Sequence, residues 1–277
     1  MEFEYLKKGK NSMVATKFSD GDACEGELKD SKQNRMGTKK YANGKMHQGE
    51  LKGNKPHGSG NMRYANGDEY AGEWLEGKQH GSGNMMYDKG GIYKGAVYKG
   101  EWRQNKFHGT GTLDYGNGDV YHGKFKGGKA HGGGTKKDAD GDEYEGEWKD
   151  GKQHGNGTFM CAGDGSVYKG KWKKGKYHGE GTYKSANGDV CEGEWKDGNM
   201  HDKGKIIVVD GDVYIGEWKD GNRHHGMGTI EFNNGDVYKG ECEHWKAQGK
   251  GTYRHDNGNM YEGENEDGKK HGRGKMN

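Results

Sequence analysis

Residues 142–161, DEYEGEWKDGKQHGNGTFMC, hold most of one period of this chain and decide its fold. In the first seven residues Tyr144, Gly146 and Trp148 alternate with Glu143, Glu145 and Glu147. Alternation at period two puts the rings and the glycine on one side of a strand and the carboxylates on the other. The stretch KDGKQHG then reads as a turn. GNGTFMC reads as a second strand, with Gly155, Gly157, Phe159 and Cys161 on one face. An Asp-Gly or Asn-Gly pair opens the following period, as at Asn66-Gly67, Asn117-Gly118, Asp140-Gly141, Asn187-Gly188 and Asn234-Gly235. Such pairs favour type I′ turns, whose two central residues both take positive φ. Helical spacing of apolar residues is found nowhere, so each period is expected to be a β-hairpin.

The same period runs outward in both directions. The glycine equivalent to Gly146 recurs at Gly26, Gly49, Gly72, Gly100, Gly123, Gly170, Gly193, Gly216, Gly240 and Gly263, almost always 23 or 24 residues from the last. One step of 28 comes from a local duplication, IYKGAVYKG, at residues 92–100. The expected architecture is all-β: an elongated, twisted, single-layer meander of about eleven to twelve tandem antiparallel hairpins. Residues 1–21 read as a degenerate N-terminal half-repeat or cap, and residues 22–277 as the array of about eleven 23-residue hairpins. With two strands per unit at about 4.8 Å, eleven units would span roughly 100 Å. Glycine beside each ring leaves bare backbone on which an aromatic side chain can lie flat, so the sheet can cover itself without a second layer.

Composition agrees with a repeat protein. Of 277 residues only 27% are hydrophobic and 32% are charged, yet 11% are aromatic and proline occurs once. Disordered chains of equal polarity are rich in proline and poor in rings. The 45 basic and 43 acidic residues interleave, which argues against nucleic acid as a partner. No apolar stretch is long enough to span a membrane as a helix, and MEFEYLKKGK lacks the apolar segment of a signal peptide. The four cysteines, Cys24, Cys161, Cys191 and Cys242, are far apart with no CxxC spacing, so a reducing, cytoplasmic setting is expected.

The pattern Y-x-G-E-W-x-x-G-x-x-H-G-x-G closely resembles the MORN (membrane occupation and recognition nexus) repeat. Tyr70–Gly83 and Tyr144–Gly157 match it throughout, and Tyr214–Gly228 matches it with one extra residue. The resemblance covers residues 22–274. It implies hairpin arrays that act as scaffolds in cilia, cytoskeletal structures and membrane junctions, some of them binding a peptide along an aromatic groove. It also implies that such repeats are fused elsewhere to a phosphoinositide kinase or a methyltransferase. Departures cluster at the ends: Cys24, Leu28 and Arg35 stand where Tyr, Trp and Gly are expected, and Asn265 stands for Trp. Eroded terminal repeats suit a sheet whose edges must not aggregate, and equally a fragment of a longer protein. The last unit reads as stopping just into its second strand. Internally, Cys242 replaces Trp and Trp245 replaces the turn glycine, so that hairpin is expected to be distorted.

Catalytic patterns are missing. Nine histidines share one repeat position (His57, His80 and His154 among them), but successive units lie about 10 Å apart, too far to share a zinc ion. His224-His225 is the only histidine doublet. The repeated glutamates, such as Glu73 and Glu147, read as partners of lysines on a solvated surface. There is no phosphate-binding GxxxxGK[ST] loop, nucleophile elbow or HExxH, so no enzyme, metal or cofactor is expected.

Three groups are candidates for binding. The aromatic face, Tyr70, Trp74, Trp102, Tyr121, Phe125, Tyr144, Trp148, Tyr168, Trp172, Trp195, Tyr214 and Trp218, is expected to remain partly exposed and to form a groove for a peptide or helix. On that expectation, alanine at Trp148 and Trp195 weakens partner binding. Ile206, Ile207, Val208 and Val209 place apolar groups on both faces of one strand, a protein or dimer contact. Lys173, Lys174 and Lys176, like Lys7, Lys8 and Lys10, form local basic clusters suited to an anionic membrane surface. The function expected is a non-enzymatic scaffold of a ciliary, axonemal or other cytoskeletal assembly, using the groove and the sheet edges to hold protein partners. The alternative is the repeat module of a larger signalling enzyme, or a membrane-junction or phosphoinositide-binding adaptor.

Overall fold

The computed structural model describes residues 2–8, 11–27, 36–88, 93–219, 221–223 and 226–277. Leu28, Arg35, Lys10, the start of the 92–100 duplication and His224-His225 lie outside the described residues. The chain divides into two compact units, Met1–Ala139 and Asp140–Asn277. Within each, strands adjacent in sequence pair antiparallel, except that the segments Asn222–Arg223 and Gly226–Glu231 both pair with Val213–Lys219, and no α-helix occurs among the described residues. The fold is an all-β meander of hairpins.

The hairpin at 143–160 shows why these residues form it. Strand Glu143–Lys149 pairs with strand Lys152–Met160, and Lys149 faces Lys152. The connecting turn is therefore only Asp150-Gly151, with φ of 52° and 83°. This is where the type I′ geometry falls, and it twists in the sense the strands require. The turn expected over KDGKQHG is shorter than the sequence suggested, because His154-Gly155 is a bulge inside the second strand. Gly155 has a φ of 58° there, and the register shifts after Gly146.

The Asn-Gly pairs between hairpins do something different. Gly67 N–H donates to the Tyr64 carbonyl at 3.0 Å and Tyr64 N–H to the Asp68 carbonyl at 2.8 Å. Gly67 has a φ of 92°, whereas Asn66 keeps a negative φ. One positive φ, not two, makes this a three-residue loop with a glycine bulge rather than a type I′ turn.

Three sets of hydrogen bonds tie one hairpin to the next. Tip glycines donate to the carbonyl of the preceding second strand, as Gly175 to Gln153 and Gly198 to Tyr177, each at 3.0 Å. Where an aspartate follows the loop glycine it accepts a backbone N–H of the next loop: Ala42 on Asp22, Ala162 on Asp142 and Asp256 on Asp236, at 2.9–3.0 Å. Tryptophan N–H groups donate back to glycine carbonyls, Trp74 to Gly60 and Trp195 to Gly181 at 3.0 Å.

Several expectations need correction. The strand that was to carry Ile206–Val209 ends at Ile207. Val208 and Val209 lie in the next loop, where Val209 N–H donates to Asp189. Glu50, Glu73, Glu101 and Glu147 do not simply face solvent. Each accepts a backbone N–H released by the bulge, from Ser59, Ser82, Thr110 and Asn156, at 2.8–2.9 Å. The hairpin bearing Cys242 and Trp245 keeps its two-residue turn, His244 and Trp245 taking φ of 47° and 68°, with Glu243 facing Lys246. Trp245 packs on Trp218 at 4.9 Å, supplying from the tip the ring that Cys242 lacks. The last strand, Lys269–Met276, runs the full length of its partner Met260–Glu266.

Candidate functional site

The aromatic face is built on paired glycines. Gly146 lies opposite Gly157, and a Cβ on Gly157 would come 2.4 Å from Tyr144 Oη. Only bare backbone lets the phenol lie this low. Its hydroxyl donates to the Glu147 carbonyl at 2.9 Å. Trp148 and Trp172 meet the ring edge-on at 5.1 and 4.9 Å, contacts worth about 0.5–1.5 kcal/mol each. Tyr70 and Tyr168 sit in the same way between the Trp of their own hairpin and that of the next.

A lid from the second strand completes the enclosure. Phe107 stacks on Tyr98 at 3.9 Å, and Tyr177 on Tyr168 at 3.7 Å. Tyr70, Trp74, Trp102, Tyr121, Phe125, Tyr144, Trp148, Tyr168, Trp172, Trp195 and Trp218 are all buried, whether or not an aromatic lid covers them, and Tyr214 alone of the twelve is half-buried. The premise that a single layer must leave these rings open fails: floor, walls and lid come from one sheet. Burial also holds the Tyr70, Tyr144 and Tyr168 phenols far above their ordinary pKa.

What stays more open lies on other second-strand positions and at one lid, although the lid Phe107 is itself buried. Phe159, Tyr177, Tyr183 and Tyr253 are half-buried, as is Phe232 in its loop. Phe159 and Tyr177 border a hollow of about 360 Å³ in the second unit, whose other walls include Trp172, Gln153, Lys176 and Asp197. Its apolar floor suits an aliphatic or aromatic side chain. The Gln153 amide and the two charges at the mouth offer hydrogen bonds to the backbone that carries it. Of the residues expected from sequence, Trp172 and Lys176 are at this hollow. Phe159 and Tyr177, which also border it, were not among the candidates, although Phe159 is placed by its alternation on one face with Gly155 and Gly157.

Lys173, Lys174 and Lys176 come together at one exposed hairpin tip, Lys173 facing Lys176 across the turn. Ile206 and Ile207 are half-buried on opposite faces, and Val209 is 68% exposed in its loop. Among the described residues no three His, Cys, Asp or Glu side chains gather closely enough to hold a metal ion. No helix among them is long and apolar enough to cross a membrane.

Solved structures similar to this chain include the SAS-4 (dCPAP) TCP domain of Drosophila melanogaster in complex with a proline-rich motif of Ana2 (dSTIL). It is 14% identical over 57% of this chain and 85% of that one, with a TM-score of 0.39. The TCP10 domain of Danio rerio CPAP, in complex with a STIL peptide, is 11% identical over 95% and 99% of the two chains, with a TM-score of 0.32. Superposition at these scores says nothing about what this chain binds. No curated protein matches the sequence. The MORN repeat family model matches at residues 24–46, 47–69, 70–92, 98–120, 121–143, 144–166, 168–190, 191–213, 214–237, 246–260 and 261–276. With tandem matches over most of its length, the chain belongs to the MORN repeat family.

Proposed function

We propose that this protein is a non-catalytic scaffold that holds a protein partner against the aromatic side of its second unit. The observation that carries the reading is the hollow beside Trp172, where Phe159 and Tyr177 keep part of their rings in solvent while every neighbouring first-strand Trp is buried. Exposed rings around a small concavity with a polar mouth are how hot spots of protein recognition are built. The assembly served is cytoskeletal, ciliary or axonemal in this reading, a preference that rests on the family alone.

The test is quantitative retention of proteins from a lysate of the source organism by immobilised chain. Phe159→Ser and Tyr177→Ser together should remove a defined partner that wild type retains, and the variant should still unfold cooperatively. Equal retention by both would overturn the reading. Trp148→Ala and Trp195→Ala are unsuited to this purpose, because both rings are buried and their loss reports on stability. Retention of lipid alone, lost on replacing Lys173, Lys174 and Lys176, would favour the phosphoinositide-adaptor alternative.

A further inference from the structure

The back of the first unit is self-complementary. Met46, Arg63, Glu69 and Met86 face one another in order across four successive strands. The row beside them is Gln48, Asn61, Ala71 and Asn84. At the corresponding place the second unit alternates threonine with charge, as in Glu145, Thr158, Lys169 and Thr182. Three carboxamides and a methyl replace that pattern here, lining a hollow of about 530 Å³. The three amides make no hydrogen bond to any described residue, and all eight side chains are exposed, Met46 by 37% and Met86 by 52%.

We propose that this face packs against the same face of a second copy of the chain, about a two-fold axis lying along the strands between Lys55–Arg63 and Glu69–Leu75. The operation sets the first of the four strands against the fourth and the second against the third. Arg63 then faces Glu69 of the second copy, twice. Gln48 faces Asn84, so each amide meets another amide, and Met46 faces Met86. Asn61 lies over the small Ala71. None of the eight positions meets its own charge. Packed sheets normally cross at about 30°. That rotation swings the flexible methionines toward the opposing trough and leaves Arg63 and Glu69, nearest the axis, in place. Within one chain these two form only a loose, exposed pair, Arg63 Nε lying 3.7 Å from Glu69 Oε1, so both remain free to bind across the interface.

The same operation fails on the apolar back row of the second unit. Val190, Ile207 and Val213 are adjacent there, with Lys184 and Glu231 at the ends. A two-fold axis through Ile207, however, brings Lys205, on the same strand, against its own copy. Charge complementarity therefore favours the first unit over the Ile206–Val209 region as the dimer contact. The footprint, four strands at about 4.8 Å by seven residues at about 3.3 Å, is roughly 900 Å² over both copies. That is small for a permanent interface, so the dimer should be weak and reversible.

The test is sedimentation equilibrium of the full chain from low to several hundred micromolar. Wild type should pass from monomer to dimer in that range. Arg63→Glu and Glu69→Arg should each weaken self-association by at least about tenfold, because like charges then meet twice. Mixing the two single variants should restore the dimer, since each copy with two arginines faces one with two glutamates. Ile207→Lys should leave the mass unchanged. A monomer throughout, single variants that associate like wild type, a mixture that does not recover, or loss of the dimer on Ile207→Lys would each overturn the proposal.

Discussion

Replacing Gly111 by alanine isolates the packing rule on which the aromatic face rests. Gly111 lies opposite Gly100 beneath the Tyr98 ring, and its φ is negative, so alanine brings no backbone strain. Removing a glycine from a strand should by itself stabilise by roughly 0.5–1 kcal/mol. The new Cβ, however, would lie 2.5 Å from Tyr98 Oη and 2.7 Å from Cζ. The ring cannot retreat, because Phe107 covers it at 3.9 Å and Trp102 and Phe125 hold its edges at 5.2 Å. Overpacking of this kind costs about 1–3 kcal/mol. Losing the 2.8 Å bond from Tyr98 Oη to the Glu101 carbonyl adds about 1 kcal/mol. The net expectation is a loss of roughly 2–3 kcal/mol, read by urea unfolding. Gly133→Ala in the same unit is the control, since a Cβ there meets nothing within 4 Å. The cost should shrink in a Tyr98→Ala background, where the two changes share one cause. Equal stability of Gly111→Ala and Gly133→Ala would refute the reasoning.

Three further predictions follow from the hydrogen bonds and the buried phenols. The Ala42 N–H, helped by Lys39, holds the Asp22 carboxyl below its usual pKa, and the Asp256 N–H does the same at Asp236. Stability from these groups is complete above the unfolded carboxylate pKa of about 4 and is lost as the pH falls through their lower folded values. Thermal midpoints should therefore drop in acid, less steeply for Asp236→Asn. Burial pushes the Tyr64 phenol up to about 12. Stability is thus intact below the unfolded pKa of about 10 and lost as the pH rises toward 12, and tyrosinate absorbance should lag a free-tyrosine standard until unfolding. Trp172→Phe should cost about 1 kcal/mol more than Trp218→Phe. The Trp172 indole N–H donates to the Gly157 carbonyl at 3.1 Å, whereas that of Trp218 finds no acceptor among the described residues.

The hairpin array was legible because period-two alternation in 142–148 and its recurrence every 23 or 24 residues leave no other regular structure available. Turn positions were less legible. His154-Gly155 has the composition of a turn but makes a bulge, and nothing local separates a positive φ inside a strand from one at its end. The role of Glu147 was hidden for the same reason, since its acceptor site exists only once the bulge frees the Asn156 N–H. Burial was the largest miss. Tyr98 and Tyr168 are capped by Phe107 and Tyr177, yet Tyr70, Tyr121 and Tyr144, with Gln79, Ala130 and Gln153 at that position, are buried all the same, so the paired glycines and neighbouring rings suffice. The repeated pattern directs attention to the first-strand rings, whereas the hollow beside Trp172 is bordered by the second-strand rings Phe159 and Tyr177.

The central claim is that a partner sits on the half-open second-strand rings of the second unit. Its most direct test is site-specific photo-crosslinking in lysate, with a benzophenone side chain placed at Tyr177 and, separately, at Lys169 on the opposite face of the same hairpin. A discrete crosslinked protein at 177, missing at 169 and competed by unlabelled wild type but not by the Phe159→Ser, Tyr177→Ser variant, is the predicted result. No discrete product at 177, or the same products at both positions, would contradict the account.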